Sequence, residues 1–146
     1  MLALLKFAAT FASAMFSGAA LYINVVEHPA RMMLDTRFAV AQWAPGYHRA
    51  TWLQAPLALI SFLAGVGTWL MGGGVGWGVA ALLIGAVVPF TLLGIMPTNH
   101  ALLAPGRDLG SEETRTLLER WAKLHAVRTA LSLGATVIYV YLALGS

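Results

Sequence analysis

The sequence contains no cysteine and few charged residues. The absence of cysteine excludes disulfide bonds, thiolate nucleophiles and iron–sulfur ligation. Only 10% of the residues are charged, whereas 59% are hydrophobic. A single water-soluble domain of 146 residues has too little interior to bury that many apolar side chains. The composition therefore indicates an integral membrane protein.

Three stretches contain no Asp, Glu, Lys or Arg: residues 7–26, 50–106 and 129–146. A membrane span needs about 20 apolar residues to cross a hydrocarbon core of roughly 30 Å. The first and third stretches each fit one span, and the second fits two, with a turn in the glycine-rich segment 71–78. The sequence thus predicts a single all-α transmembrane domain over residues 1–146, a four-helix bundle. We expect its helices at about 4–27, 52–71, 76–96 and 124–144.

Basic residues are concentrated on one side of this predicted bundle. All of them except Lys6 lie in or beside the connections 28–51 and 97–123, which we call the loop side. The positive-inside rule places the loop side in the cytoplasm and both termini outside, and we expect a bacterial inner (plasma) membrane. Because these charges flank membrane spans, the expected partners are the lipid bilayer and a lipophilic small molecule, and no nucleic acid.

Two further segments of the loop side have helical patterns. Residues 30–43 place apolar side chains on one face and arginines elsewhere, which predicts a short helix on the cytoplasmic surface. In the second segment, Ser111 precedes two glutamates, a pattern typical of a helix N-cap, and residues 111–123 run into the fourth span. The fold class expected is therefore a membrane four-helix bundle with short surface helices on the cytoplasmic side.

The same topology brings polar residues together at the loop side. The charge-free stretch that forms the fourth span is short for a full crossing, so Arg128 is drawn toward the lipid. A guanidinium there needs a partner, and Glu27 is the candidate. Two polar stripes follow helical spacing and are expected to meet inside the bundle. They comprise Ser17, Leu21, Asn24 and His28 on the first helix, and Trp121, His125, Arg128 and Ser132 on the fourth.

Several short motifs occur at the loop side, in this order: Glu27-His-Pro-Ala-Arg31, Trp43-x-x-x-Tyr47-x-Arg49, Gln54-Ala-Pro56, Pro97-Thr-Asn99 and the stretch Trp121–Thr129. Together they resemble the anthrone oxygenase-like family of small four-helix membrane proteins. The resemblance covers essentially the whole chain and is most specific in the last motif. By matching motif positions, it points to Glu27, Pro29, Asn99, Trp121, His125 and Arg128.

The resemblance implies oxidation of an anthrone to an anthraquinone with molecular oxygen, usually without a recognised cofactor. For a phenolic, anthrone or quinone-like substrate, His125 would act as the base and Glu27 would hold it or pair with Arg128. Arg128 and Asn99 would stabilise the developing oxyanion. Substrate contacts are expected from His28, Tyr47, His48, His100 and Trp121.

Two other functions stay open from the sequence. The first is a metal or haem protein, whose candidate ligands are His28, His48, His100 and His125. The second is a non-enzymatic structural or partner-binding membrane protein, in which the polar cluster only holds the loop side together. The sequence assigns no cofactor, and O₂ would be the co-substrate of an oxygenase.

A homo-oligomer is also possible from the sequence. Small residues permit close contacts between helices, either within one bundle or between copies. The glycines concerned are Gly65, Gly67, Gly78 and Gly85.

Overall fold

A computed structural model describes residues 1–145 of the chain, and this part contains helices and no strands. Four of the helices are long and apolar enough to cross a membrane. This arrangement confirms the predicted all-α membrane bundle. In chain order they are α1 (Leu2–Arg31), α2 (Thr36–Gly73), α3 (Val75–Leu102) and α4 (Glu112–Leu144).

Helices α1 and α3 both extend past their predicted ends, and each contains a π-helical stretch just before that point. These stretches are Ile23–Glu27 and Thr91–Ile95. An α-helical segment with a proline in its first turn follows each of them, containing Pro29 and Pro97 respectively. Proline lacks a backbone N–H and is accepted in a first helical turn, so the helix continues where the sequence suggested a break. Each π stretch also shifts the helix face that follows it.

The prediction of a separate surface helix over residues 30–43 is wrong. Its second half is the beginning of α2, which starts at Thr36 and continues through Pro45 and Pro56. The reason is packing, because Trp43 is fully buried in the loop-side core instead of lying on the lipid surface. Neighbouring helices that cover the freed backbone groups allow a membrane helix to tolerate internal proline.

The turn between α2 and α3 lies in the predicted glycine-rich segment. Met71 and Gly72 leave helical geometry, and Gly72 and Gly74 have φ angles of 86° and 101°. Glycine adopts these angles without a Cβ penalty. The predicted cap of α4 is also confirmed, because the Thr114 backbone N–H donates to Ser111 Oγ at 3.2 Å.

Three of the four glycines proposed for close helix contacts make them within one bundle, whereas a Cβ added at Gly67 would have only ordinary contact with Leu5, at 3.4 Å. A Cβ added at Gly65 would lie 2.0 Å from Tyr139 Oη of α4, and one at Gly85 would lie 2.7 Å from the Phe62 ring of α2. At Gly78 the equivalent atom would lie 2.8 Å from the ring of Trp69. Glycine at these positions therefore lets the helices of a single chain approach each other.

Candidate active site

The predicted polar stripes of α1 and α4 meet in the interior of the bundle, except that Leu21 of the first stripe is exposed. Asn24 is the central residue of this contact, because its Nδ2 donates to the Ala122 carbonyl at 3.1 Å. Its Oδ1 lies 2.7 Å from His125 Nδ1 and accepts from Thr129 Oγ1 at 2.6 Å. Farther from the loop side, Ser17 Oγ and Thr136 Oγ1 are 2.8 Å apart.

The contacts of Asn24 determine which nitrogen of His125 is basic. Since Asn24 Nδ2 is a donor to a carbonyl, Oδ1 is the acceptor, and His125 Nδ1 must carry the proton that it donates. In the neutral ring the lone pair is then on Nε2. His125 is 1% exposed and lines a polar pocket between α1, α2 and α4. It is therefore placed to accept a proton through Nε2.

His28 is held in the opposite tautomer. Arg31 Nη1 lies 3.1 Å from His28 Nδ1, and a guanidinium can only donate, so Nδ1 accepts and the proton of the neutral ring is on Nε2. Both histidine rings pack against Trp121, with ring centroids 5.3 Å and 4.8 Å from that of the indole. His125 thus has a lone pair on Nε2, whereas His28 has an N–H on Nε2.

The predicted ion pair between Glu27 and Arg128 is wrong. Glu27 instead pairs with Arg31, one helical turn later, and Arg31 also donates through Nε to Gln42 Oε1. The π-helical stretch that ends at Glu27 accounts for this difference, because it shifts the helix face that follows. The prediction assumed regular α-helical spacing, which does not include that shift.

Arg128 has no carboxylate partner within the part of the chain that the structure describes. Its Nη2 donates to Gln54 Oε1 at 3.0 Å, and its guanidinium lies 5.5 Å from the centroid of the Phe16 ring. Its Nε is buried and makes no hydrogen bond to the described residues. Burying a guanidinium whose charge no carboxylate balances costs free energy, and ionisable residues within membrane spans usually have a functional role such as ligand binding.

The polar pocket is rich in hydrogen-bond donors. Besides Arg128 Nε, three other N–H donors of its lining residues are buried without an acceptor among the described residues: Gln54 Nε2, Trp43 Nε1 and Trp121 Nε1. Buried donors in folded proteins normally have an acceptor. The pocket therefore suits a ligand that supplies oxygen atoms as acceptors.

Two adjoining spaces make up the site. The polar pocket has a volume of about 20 Å³, which is enough for one water-sized molecule. Beside it, between α2 and α3, lies a larger space of about 190 Å³, which we call the seam cavity. The two share four lining residues: Tyr47, Thr51, Gln54 and Arg128. Of these two spaces, the seam cavity is large enough for a flat organic molecule and the polar pocket is not.

Not every predicted site residue reaches this site. Tyr47 lines both spaces and stacks on Trp43, with centroids 5.3 Å apart. His48 and His100 are exposed and lie outside both spaces. Asn99 is 1% exposed and its amide has no hydrogen-bond partner among the described residues, but it does not line either space.

The four histidines do not converge as a metal site would require. Among the described residues, the structure brings together no group of three or more His, Cys, Asp or Glu side chains that could hold a metal ion. His28 and His125 both pack against the indole of Trp121, and the other two histidines are exposed. These positions do not fit the ligand set proposed from the sequence.

Arg31, Gln54 and Trp43 were not singled out as site residues by sequence reasoning. Arg31 and Trp43 lie in motifs that the sequence analysis quoted, but both were placed at the surface. Gln54 has one clear sequence signal, since it is an amide within a long uncharged stretch. A polar residue in such a stretch normally faces the bundle interior.

Comparisons of the sequence with known proteins indicate a family. The sequence profile described as "Anthrone oxygenase" matches residues 43–138. Anthrone oxygenase ptaC of Pestalotiopsis fici is 34% identical over 130 residues, covering 73% of this chain and 89% of the relative. An anthrone oxygenase of Claviceps purpurea is 29% identical over 138 residues, covering 84% and 78%. No solved structure matches the chain.

The fold and the site define a small four-helix integral membrane protein with a histidine and an arginine at an interior pocket. Within that class, the chain belongs to the anthrone oxygenase family. Its relatives support an oxygenase-like function.

Proposed function

We propose that this protein is a membrane oxygenase that oxidises a lipophilic aromatic substrate, a phenol with an activated methylene such as an anthrone, with O₂. The observation that carries the proposal is the 2.7 Å contact between Asn24 Oδ1 and His125 Nδ1, from which the tautomer of His125 follows. Its Nδ1 donates to Asn24, which leaves Nε2 as a base at a pocket that also contains a guanidinium without a carboxylate.

The first step is proton removal. His125 Nε2 takes a proton from the methylene between the two rings, directly or through one water in the polar pocket. The electron pair left on carbon delocalises onto the carbonyl oxygen. Arg128 Nε and the Gln54 amide are buried donors that stabilise this oxyanion.

The second step is reduction of oxygen. The carbanion reduces O₂ and forms a carbon–oxygen bond, which gives a hydroperoxide after protonation. Loss of water then converts the former methylene to a ketone, so that one oxygen atom of O₂ enters the product and the other leaves as water. The polar pocket, at about 20 Å³, suits a diatomic gas or a water molecule better than an aromatic ring.

Trp121 lines the polar pocket, and His28 packs against Trp121 but lines neither the polar pocket nor the seam cavity. Because His28 Nδ1 accepts from Arg31, its Nε2 is an N–H donor. The pair Glu27–Arg31 fixes this tautomer in the way that Asn24 fixes that of His125. Glu27 is thus a positioning residue in the proposal rather than the partner of Arg128.

Oxygen consumption tests the proposal. The purified protein in lipid nanodiscs receives 1,8-dihydroxyanthrone and ¹⁸O₂, and its rate is compared with empty nanodiscs to remove autoxidation. We expect one ¹⁸O atom in each anthraquinone and a fall in rate of about 100-fold or more in His125→Gln. An equal rate in the folded variant and the wild type would assign the polar cluster a structural role instead.

The distribution of basic residues supports an orientation with the loop side in the cytoplasm. In that orientation the polar pocket lies near the cytoplasmic surface, where water can accept the released proton. A bacterial plasma membrane stays a prediction from the sequence.

A further inference from the structure

The contact between α2 and α3 changes along its length. At the side remote from the loops the helices touch, because a Cβ on Gly78 or Gly85 would collide with an aromatic ring of α2. Toward the loop side they separate, and the seam cavity of about 190 Å³ opens between them. The helix that carries Gly85 contains Pro89 and then the π-helical stretch Thr91–Ile95, which redirects it at this level.

The seam cavity has an apolar outer rim and a polar inner end. Ala55, Val88 and Leu92 line it and are exposed on the outside of the bundle, where lipid surrounds a membrane helix. At its inner end lies Arg128, whose Nε is buried without an acceptor among the described residues. A molecule in the cavity therefore contacts lipid at one end and a guanidinium at the other.

A second apolar space continues the cavity along the same seam. It has a volume of about 510 Å³ and shares Ala58 and Val88 with the seam cavity. The remaining residues around it are apolar as well. The seam thus offers a continuous groove for an apolar body, and only its inner end offers charge.

We propose that the seam between α2 and α3 is the opening through which the ligand reaches the site from the bilayer, and that this ligand is an amphiphile whose anionic oxygen binds Arg128. The proposal rests on the proposed function, since it names the route and the charge of the same site's substrate. Arg128 lacks a carboxylate among the described residues, so the anion that balances it comes with the ligand. The apolar body of the ligand lies along the seam and needs no passage through water.

A matched pair of probes tests the charge. The fluorescent 9-anthracenecarboxylate and its methyl ester have the same three flat rings and differ in one negative charge. Both are titrated into the protein in phosphatidylcholine nanodiscs, with empty nanodiscs as the correction for partition into lipid. We expect the wild type to bind the carboxylate about tenfold more tightly than the ester. Arg128→Gln should lose this preference, and Arg128→Lys should keep part of it.

A matched pair of variants tests the route. Ala55→Trp narrows the rim of the seam, whereas Ala130→Trp adds the same side chain at an exposed position of α4 that lines neither space. We expect Ala55→Trp to weaken the binding of both probes and Ala130→Trp to leave it unchanged. Because the chain has no cysteine, Ala55→Cys and Ala130→Cys each carry one thiol. The carboxylate probe should slow alkylation by N-(1-pyrenyl)maleimide at position 55 only.

The proposal is overturned if folded Arg128→Gln keeps the full preference for the carboxylate, or if the two tryptophan variants bind alike. The probes contain no oxidisable methylene, so these titrations report binding without turnover. A wild-type protein that binds both probes as expected but does not oxidise the anthrone would instead contradict only the proposed function. Normal oxidation in Ala55→Trp with unchanged probe binding would contradict only the route.

Discussion

Asn24 Oδ1 on α1 and His125 Nδ1 on α4 lie 2.7 Å apart, and this hydrogen bond crosses the interior of the bundle. The amide is itself fixed by donation to the Ala122 carbonyl. One side chain of the first helix therefore decides which nitrogen of a histidine on the last helix is basic. In the proposed chemistry, Asn24 is a positioning residue that acts through His125.

Asn24→Ala should lower kcat by about 100-fold with little change in KM, because the base loses its orientation while the seam cavity is untouched. The matched control is Ser13→Ala, which removes another polar contact between α1 and α4, the 2.7 Å pair with Thr136, away from the site. Its kcat should be close to that of the wild type. The ¹⁵N NMR signals of His125 should show protonated Nδ1 in the wild type and a mixture of tautomers in Asn24→Ala. Equal kcat values for the two variants would show that the contact has no positioning role.

Glu27→Gln should lower the free energy of unfolding by about 2 kcal/mol, because Arg31 is buried and would lose its carboxylate partner. Glu113→Gln is the matched control. Glu113 lies 3.5 Å from Arg107, but its side chain is 77% exposed, and such exposed pairs contribute about 0–1 kcal/mol. Thermal unfolding in detergent compares the two variants. A larger loss in Glu113→Gln would contradict the assigned role of the Glu27–Arg31 pair.

Gly65→Ala should destabilise the bundle by about 1–3 kcal/mol, because the new methyl group would lie 2.0 Å from Tyr139 Oη. Gly18→Ala is its control, since no atom lies within 4 Å of the added carbon and alanine favours helix. Removing the hydroxyl in Gly65→Ala/Tyr139→Phe should restore part of the lost stability. If the double variant is no more stable than Gly65→Ala, the contact between α2 and α4 has been misassigned.

The spans and the meeting of the two polar stripes were predictable because both follow from periodicity and the cost of burying charge in lipid. Asn24 and His125 each fall on a polar stripe with helical spacing, and such stripes normally face the bundle interior. The partner of Glu27 was not predictable in the same way. A π-helical stretch at Ile23–Glu27 adds a residue to one turn and changes which side chains share a face.

The loop-side boundaries were also hard to predict, because proline is the usual sign of a helix end in water. Pro45 lies inside α2, where burial of Trp43 in the core outweighs the lost backbone hydrogen bond. The seam cavity likewise depends on how two helices diverge. No local sequence pattern in α2 or α3 encodes the distance between these two helices.

Hydrogen exchange at the substrate methylene tests the central claim most directly, because it separates removal of the proton from the reaction with oxygen. The measurement is made in D₂O without O₂, with 1,8-dihydroxyanthrone and protein in nanodiscs, and mass spectrometry follows the uptake of deuterium at the methylene carbon. If His125 Nε2 is the base, the wild type will accelerate exchange over empty nanodiscs and folded His125→Gln will not. Equal acceleration by both proteins would contradict the account.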